Sequence, residues 1–138
     1  MEIKLLNEIK EKASKARKTI ILPESHDERV LKAAEKLTKE KTVSLITLGD
    51  EDRIHKDAKR LDVDLTGIRI INPTTSDKLS DFTNIFFNLR KHKGVAIEQA
   101  RNTIQQDLFF AAMMVKENMV DASVARSTFE ADEKGIVV

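Results

Sequence analysis

Short apolar runs, each closed by a turn signal and separated by amphipathic stretches, constrain this chain more than any other feature. Thr19-Ile20-Ile21-Leu22 is continuous and rich in β-branched residues, and it stops at Pro23. Val43-Ser44-Leu45-Ile46-Thr47-Leu48 is closed by Gly49-Asp50, and Ile68, Ile70 and Ile71 lead into Asn72-Pro73. Strands covered by helices on both faces read as unbroken apolar runs of this kind. Between the first two runs, Ser25 and Glu28 stand at capping-box spacing, and Val30, Leu31, Ala34 and Leu37 then recur on one helical face as far as Lys39-Glu40-Lys41. A short charged helix over about 51–60 fills the next gap. This alternation of strand and helix predicts a parallel α/β sheet with right-handed crossovers.

The flanks are helical. Residues 3–17 space Leu5, Leu6, Ile9, Ala13 and Ala16 by threes and fours among charges, the pattern of an amphipathic helix. Beyond Pro73 the periodicity predicts helices over about 76–92, 96–106 and 107–117. Leu79, Phe82, Ile85, Phe86 and Leu89 supply the buried face of the first, and Gly94 suits a left-handed stop. Ala96 stands where a capping oxygen normally accepts the first free amides, while Asp107 is placed to cap the third helix. Leu108–Val115 is apolar nearly all round and predicts a deeply buried helix; lining of a ligand pocket by Phe109–Met114 is the alternative. A fourth strand is expected within Met119–Val124. The apolar end Ile136-Val137-Val138, after a polar passage, reads as the edge of a fragment.

Composition removes several classes of function. Lys and Arg number 24 against 23 Asp and Glu, a net charge of +1, which offers no cationic surplus for a nucleic-acid backbone. The absence of cysteine excludes disulfides, thiolate metal sites and a cysteine nucleophile. Hydrophobic residues at 41% are enough for one buried core. No apolar run approaches the roughly 20 residues needed to cross a bilayer, and Met1-Glu2-Ile3-Lys4 opens no signal peptide, so a soluble cytoplasmic protein without a membrane partner is expected.

No common catalytic motif stands out. The chain has no Gly-rich phosphate loop, no HExxH and no GxSxG. His26, His55 and His92 are far apart among charged neighbours and read as surface residues, and no metal site is expected. Two features permit anion binding. Pro23-Glu24-Ser25-His26-Asp27-Glu28-Arg29 joins a buried strand to a helix amino terminus, where free amides favour a negative group but local carboxylates compete. Arg90-Lys91-His92-Lys93 can contact a phosphate or nucleotide, or simply place cations near a helix carboxyl terminus.

Leu22-Pro23-Glu24 followed by Asp27-Glu28-Arg29-Val30-Leu31 resembles the strand-to-helix motif near the start of phosphate acetyltransferases. Leu89-Arg90-Lys91-His92-Lys93-Gly94-Val95, Ile97-Glu98-Gln99-Ala100-Arg101 and Phe110-Ala111-Ala112-Met113-Met114-Val115-Lys116 are similar to three further segments of that family, in the same order. The resemblance implies a three-layer parallel-sheet domain like that of isocitrate and isopropylmalate dehydrogenases, incomplete here: residues 1–138 form the amino-terminal portion, with no second domain. It implies an acyltransferase that moves an acetyl group between acetyl phosphate and coenzyme A, with no metal or bound cofactor, in a chain that usually dimerises and works in an interdomain cleft. A carboxylate helps to deprotonate the thiol, the thiolate attacks the acetyl carbonyl, and arginine and serine groups steady the phosphate and the oxyanion.

Most of those groups belong to the family's carboxyl-terminal portion, so no catalytic residue is assigned to this chain. Arg90 matches the arginine associated with coenzyme A or phosphate binding and is the one site residue that the resemblance assigns. Val120-Asp121-Ala122 and Val124-Ala125-Arg126-Ser127 depart from the family pattern by replacing two loop glycines with Ala122 and Arg126, while Asp121 and Asp132 align. If those glycines serve positive φ or close backbone approach, the replacements obstruct both. The leading expectation is an amino-terminal portion inactive by itself. The alternatives are a module binding coenzyme A or phosphate, and an interaction subunit pairing with a separate carboxyl half.

Overall fold

Each apolar run becomes a strand, and adjacent residues along it face opposite layers. The computed structural model describes residues 18–125 together with Lys4, Leu6, Asn7 and Ile9. Strands β1 (Lys18–Leu22), β2 (Val43–Leu48), β3 (Arg69–Ile71) and β4 (Ala122–Ser123) form one sheet in the order β3-β2-β1-β4. All pairings are parallel: Ile20 lies opposite Leu45 and Ala122, and Ile46 opposite Arg69.

Among residues 18–125 the helices are α1 (Glu28–Lys39), α2 (Glu51–Leu61), α3 (Leu79–Arg90), α4 (Ile97–Ile104) and α5 (Asp107–Lys116), with a 3-10 turn at Lys91–Lys93. Ile20, Leu22, Val43 and Leu45 pack on one side with Val30, Ala34 and Leu37 of α1 and with Leu6 and Ile9, which are helical. Ile21, Ile46 and Leu48 pack on the other with Leu79, Phe82, Ile104, Phe110 and Met114 from α3, α4 and α5. The sheet is therefore covered on both faces, the three-layer α/β arrangement that the unbroken runs imply. The rest of the helix expected over 3–17, including Leu5, Ala13 and Ala16, lies outside the described residues, as do Arg126, Asp132 and Ile136-Val137-Val138.

Several local expectations are corrected. Asp27, not Ser25, caps α1: its backbone is extended and its carboxylate accepts from the Arg29 amide at 2.9 Å. Ser25 is instead fully buried, its hydroxyl donating to the Leu48 carbonyl. Helix α3 begins at Leu79 rather than 76 because side chains capture the preceding backbone: Asn72 Oδ1 accepts from Thr74 N at 3.0 Å, and Ser76 Oγ from Lys78 N at 3.1 Å. Asp107 is the first residue inside α5, and Gln106, which makes no side-chain cap, precedes it. Leu89 does not join the buried face of α3, being 43% exposed, and α5 is buried on one side only, with Leu108, Phe109 and Ala112 exposed.

Gly94 does take the left-handed conformation, at φ 82°, and Ala96 makes no side-chain cap, although Gln99 Oε1 accepts from its amide at 3.0 Å. Ala122 lies in β4 opposite Ile20 and does not take a positive φ, so the strand accepts an alanine there without backbone strain.

Candidate functional site

In an open parallel sheet, ligands gather beyond the carboxyl ends of the strands, where the strand order reverses. Here β2 lies on one side of β1 and β4 on the other, which puts the Pro23–Asp27 turn at that point. Hydrogen bonds between distant segments fix the turn. Thr47 Oγ1 donates to the Leu22 carbonyl at 2.7 Å, tying the ends of β1 and β2 together. Arg53, in the first turn of α2, is oriented by Asp57, with Nη1 and Oδ2 3.0 Å apart, and its Nη2 donates to Ser25 Oγ at 2.6 Å. The Ser25 hydroxyl is thus both acceptor and donor, and the buried group is satisfied.

Gly49 makes room for this arrangement. Its φ of 147° disfavours side chains, and a β-carbon there would lie 2.6 Å from Arg53 Nη2 and 2.7 Å from Ser25 Oγ. Around this latch Glu24, His26 and Asp107 converge from the β1–α1 turn and from α5. Burial raises the half-buried Asp107 carboxyl above the ordinary aspartate range, His26 and Arg53 pull it back down, and Glu24 adds to the rise. The amino terminus of α1, one of the two anion-binding options, is answered within the chain, since Asp27 occupies the Arg29 amide and Glu28 adds a further carboxylate in the first turn.

The other option lies elsewhere. Arg90 ends α3, and Lys91, His92 and Lys93 form the turn before Gly94, all of them exposed and none ion-paired among the described residues. The Arg90 guanidinium stands 5.7 Å from the centroid of the Phe86 ring, one helical turn back. Phe86 in turn meets Phe109 of α5 edge to face, with centroids 6.1 Å apart.

His26, His55 and His92 are all exposed, and His55 approaches only Glu51, at 3.5 Å. Among the described residues no cluster of histidines and carboxylates could hold a metal ion, and no helix is long and apolar enough to cross a membrane. Asp121 fixes β4 against β1, since its Oδ2 accepts from the Thr19 amide at 2.8 Å and its own amide donates to the Thr19 carbonyl. A groove of about 570 Å³, lined by Arg69, Ile71, Asn72, Lys78 and Met119 among others, opens beside β3.

Sequence reasoning missed the Ser25–Arg53 latch. Its one local sign was a glycine directly after an apolar strand with an arginine four residues on, a spacing shared by many helix starts. Phe86 does pack against the second core cluster, as its helical spacing predicts, but the sequence carries no sign that Phe109 meets it.

Comparison with known proteins places these features in a lineage. A family model described as phosphate acetyl/butaryl transferase matches residues 4–131. The phosphate acetyltransferase of Acetivibrio thermocellus is 42% identical over 120 residues, 87% of this chain and 36% of that protein. The phosphate acetyltransferase of Helicobacter pylori is 39% identical over 117 residues, 85% of this chain and 22% of that protein. Among solved structures, the EutD phosphotransacetylase from Staphylococcus aureus superposes with a TM-score of 0.76 at 36% identity, over 92% of this chain and 39% of that one. A phosphotransacetylase from Streptococcus pyogenes gives 0.75 at 28% identity, over 88% and 37%. The chain thus spans little more than a third of these relatives at most, yet the match runs through the β1 turn, the Arg90 turn and β4 alike, and it makes the chain a member of the phosphate acetyl/butaryl transferase family.

Proposed function

We propose that this chain is the amino-terminal part of a phosphate acetyltransferase, that it contributes binding surface for coenzyme A and acetyl phosphate, and that it does not turn over alone. The observation that carries the reading is the Arg90-Lys91-His92-Lys93 turn: exposed cations without ion pairs among the described residues, inside a segment that matches the family. Arg90 is the proposed contact to a phosphate of coenzyme A or of acetyl phosphate. A guanidinium is suited to that role because it stays charged and presents a planar fork of donors.

The reaction proposed for the complete enzyme breaks the bond between the acetyl carbonyl and the phosphate oxygen and forms a thioester to the sulfur of coenzyme A, releasing inorganic phosphate. It needs a base for the thiol and positioned donors for the oxyanion and the leaving group. By family resemblance those serine, arginine and aspartate groups belong to the carboxyl-terminal portion, and the chain covers 36% of the Acetivibrio relative. No bound cofactor enters this reading, and coenzyme A is a substrate. Assembly as a homodimer, or with a separate carboxyl half, belongs to the same proposal, as does a cytoplasmic location.

A test is acetyl-coenzyme A formation from acetyl phosphate by purified chain, with calorimetric titration of coenzyme A beside it. Coenzyme A binding weakened by Arg90→Ala, with no turnover, supports the reading. Heat-free titration at millimolar coenzyme A removes the binding surface.

A further inference from the structure

Two aromatic pairs join the same two helices, and they differ in exposure. Phe82 and Phe110 meet at 5.0 Å with both rings buried to 1% exposure, as a core pair should. One turn further along α3, Phe86 meets Phe109 at 6.1 Å, but Phe109 is 44% exposed and Phe86 only half-buried. Arg90, another turn on, sits over Phe86. Leu89 and Leu108, 43% and 42% exposed, accompany the pair.

Phe86 thus touches both groups, with the Arg90 guanidinium 5.7 Å and the Phe109 ring 6.1 Å from its centroid, and so links exposed cations to an accessible ring. Exposed aromatic surface of this kind marks a recognition site more often than an isolated exposed leucine does. A flat base joined to phosphates complements both the ring and the cations. The ring offers a stacking platform that tolerates any base, and the Arg90–Lys93 turn offers charge to the phosphates.

From this arrangement we infer that Phe109 is the stacking platform for the adenine ring of coenzyme A, with Phe86 as a positioning residue that aims Arg90 at the nucleotide phosphates. The inference rests on the coenzyme A reading above and deepens it by assigning the base to one aromatic residue. Phe86 acts through Arg90: its ring holds the guanidinium by cation–π attraction, and Phe109 meets that ring edge to face.

The chain has no tryptophan, so Phe109→Trp supplies a single indole reporter at the proposed contact. The expected result is quenching by coenzyme A and by adenosine 3′,5′-bisphosphate but not by phosphopantetheine, which lacks the base. Phe109→Ala should weaken coenzyme A binding about tenfold or more, and Phe109→Tyr should retain it. Phe86→Leu should weaken coenzyme A binding while leaving the affinity for phosphopantetheine unchanged. Coenzyme A binding that Phe109→Ala leaves unaltered, or equal quenching by phosphopantetheine, overturns the inference while the coenzyme A reading stands. Self-association abolished by Phe109→Ala, with no ligand response, makes the patch a protein interface and also overturns it. Failure of the unsubstituted chain to bind coenzyme A overturns the inference and the binding reading together.

Discussion

Arg53 Nη2 donates to the buried hydroxyl of Ser25 across 28 positions of sequence, at 2.6 Å, and that hydroxyl donates onward to the carbonyl of Leu48. The bond holds the turn after β1 against the end of β2. Ser25→Ala removes both links and leaves the Leu48 carbonyl without its donor, at an expected cost of about 1–3 kcal/mol. Urea unfolding monitored by circular dichroism measures it, and an unchanged midpoint would show that the latch contributes nothing.

Gly49 is the position that makes the latch possible. Gly49→Ala introduces a β-carbon within 2.6 Å of Arg53 Nη2 in a backbone conformation that L residues rarely adopt. The expected loss is about 1–3 kcal/mol. Because the same atoms are involved, the loss should be smaller in the Ser25→Ala background than alone, and a double-mutant cycle in urea reads the difference. Additive losses would place the strain elsewhere.

The secondary structure was legible because local pattern and burial agree. The run Ile20-Ile21-Leu22 has no polar residue to spare for solvent, and the structure sends Ile20 and Leu22 to one layer and Ile21 to the other. The choice of cap was not legible. Ser25 and Asp27 are both good capping residues two positions apart, and what separates them is a carbonyl 23 residues away and a guanidinium 28 away, both of which claim Ser25. Likewise, Leu108-Phe109-Phe110-Ala111 is apolar on every side, and only the position of α3 decides that Phe110 is enclosed while Phe109 is left open. Arg90 was singled out by family resemblance alone, and its placement over Phe86 fits their spacing of four on one helix, whereas Phe109 comes from a different helix.

Asp107 should make stability depend on pH in an unusual direction. Burial raises its folded-state pKa above the ordinary 3.8, so the folded chain keeps this proton to higher pH than the unfolded chain does. Its contribution is therefore most favourable in acid and is lost as pH rises from about 3.8 through the folded value. Asp107→Asn removes that dependence: relative to the variant, the unsubstituted chain should lose stability as pH climbs from 3 to 7. Parallel stability profiles for the two proteins over that range would contradict the assignment.

Ala96 offers a gain. Its backbone is already extended, at φ −79° and ψ 157°, and Gln99 already returns a side-chain bond to its amide. Ala96→Ser supplies the missing acceptor for the first turn of α4 and should stabilise the fold by about 1 kcal/mol. Thermal melting of the two proteins compares them, and a lower midpoint for the serine variant would mean that the turn from Gly94 cannot accommodate the cap.

On the proposed reading this chain holds one side of a cleft whose chemistry needs groups from the other. Steady-state formation of acetyl-coenzyme A from acetyl phosphate, by chain purified free of host acetyltransferase, decides it. The expected rate is indistinguishable from the enzyme-free reaction; sustained turnover by the chain alone, abolished by Arg90→Ala, would contradict it.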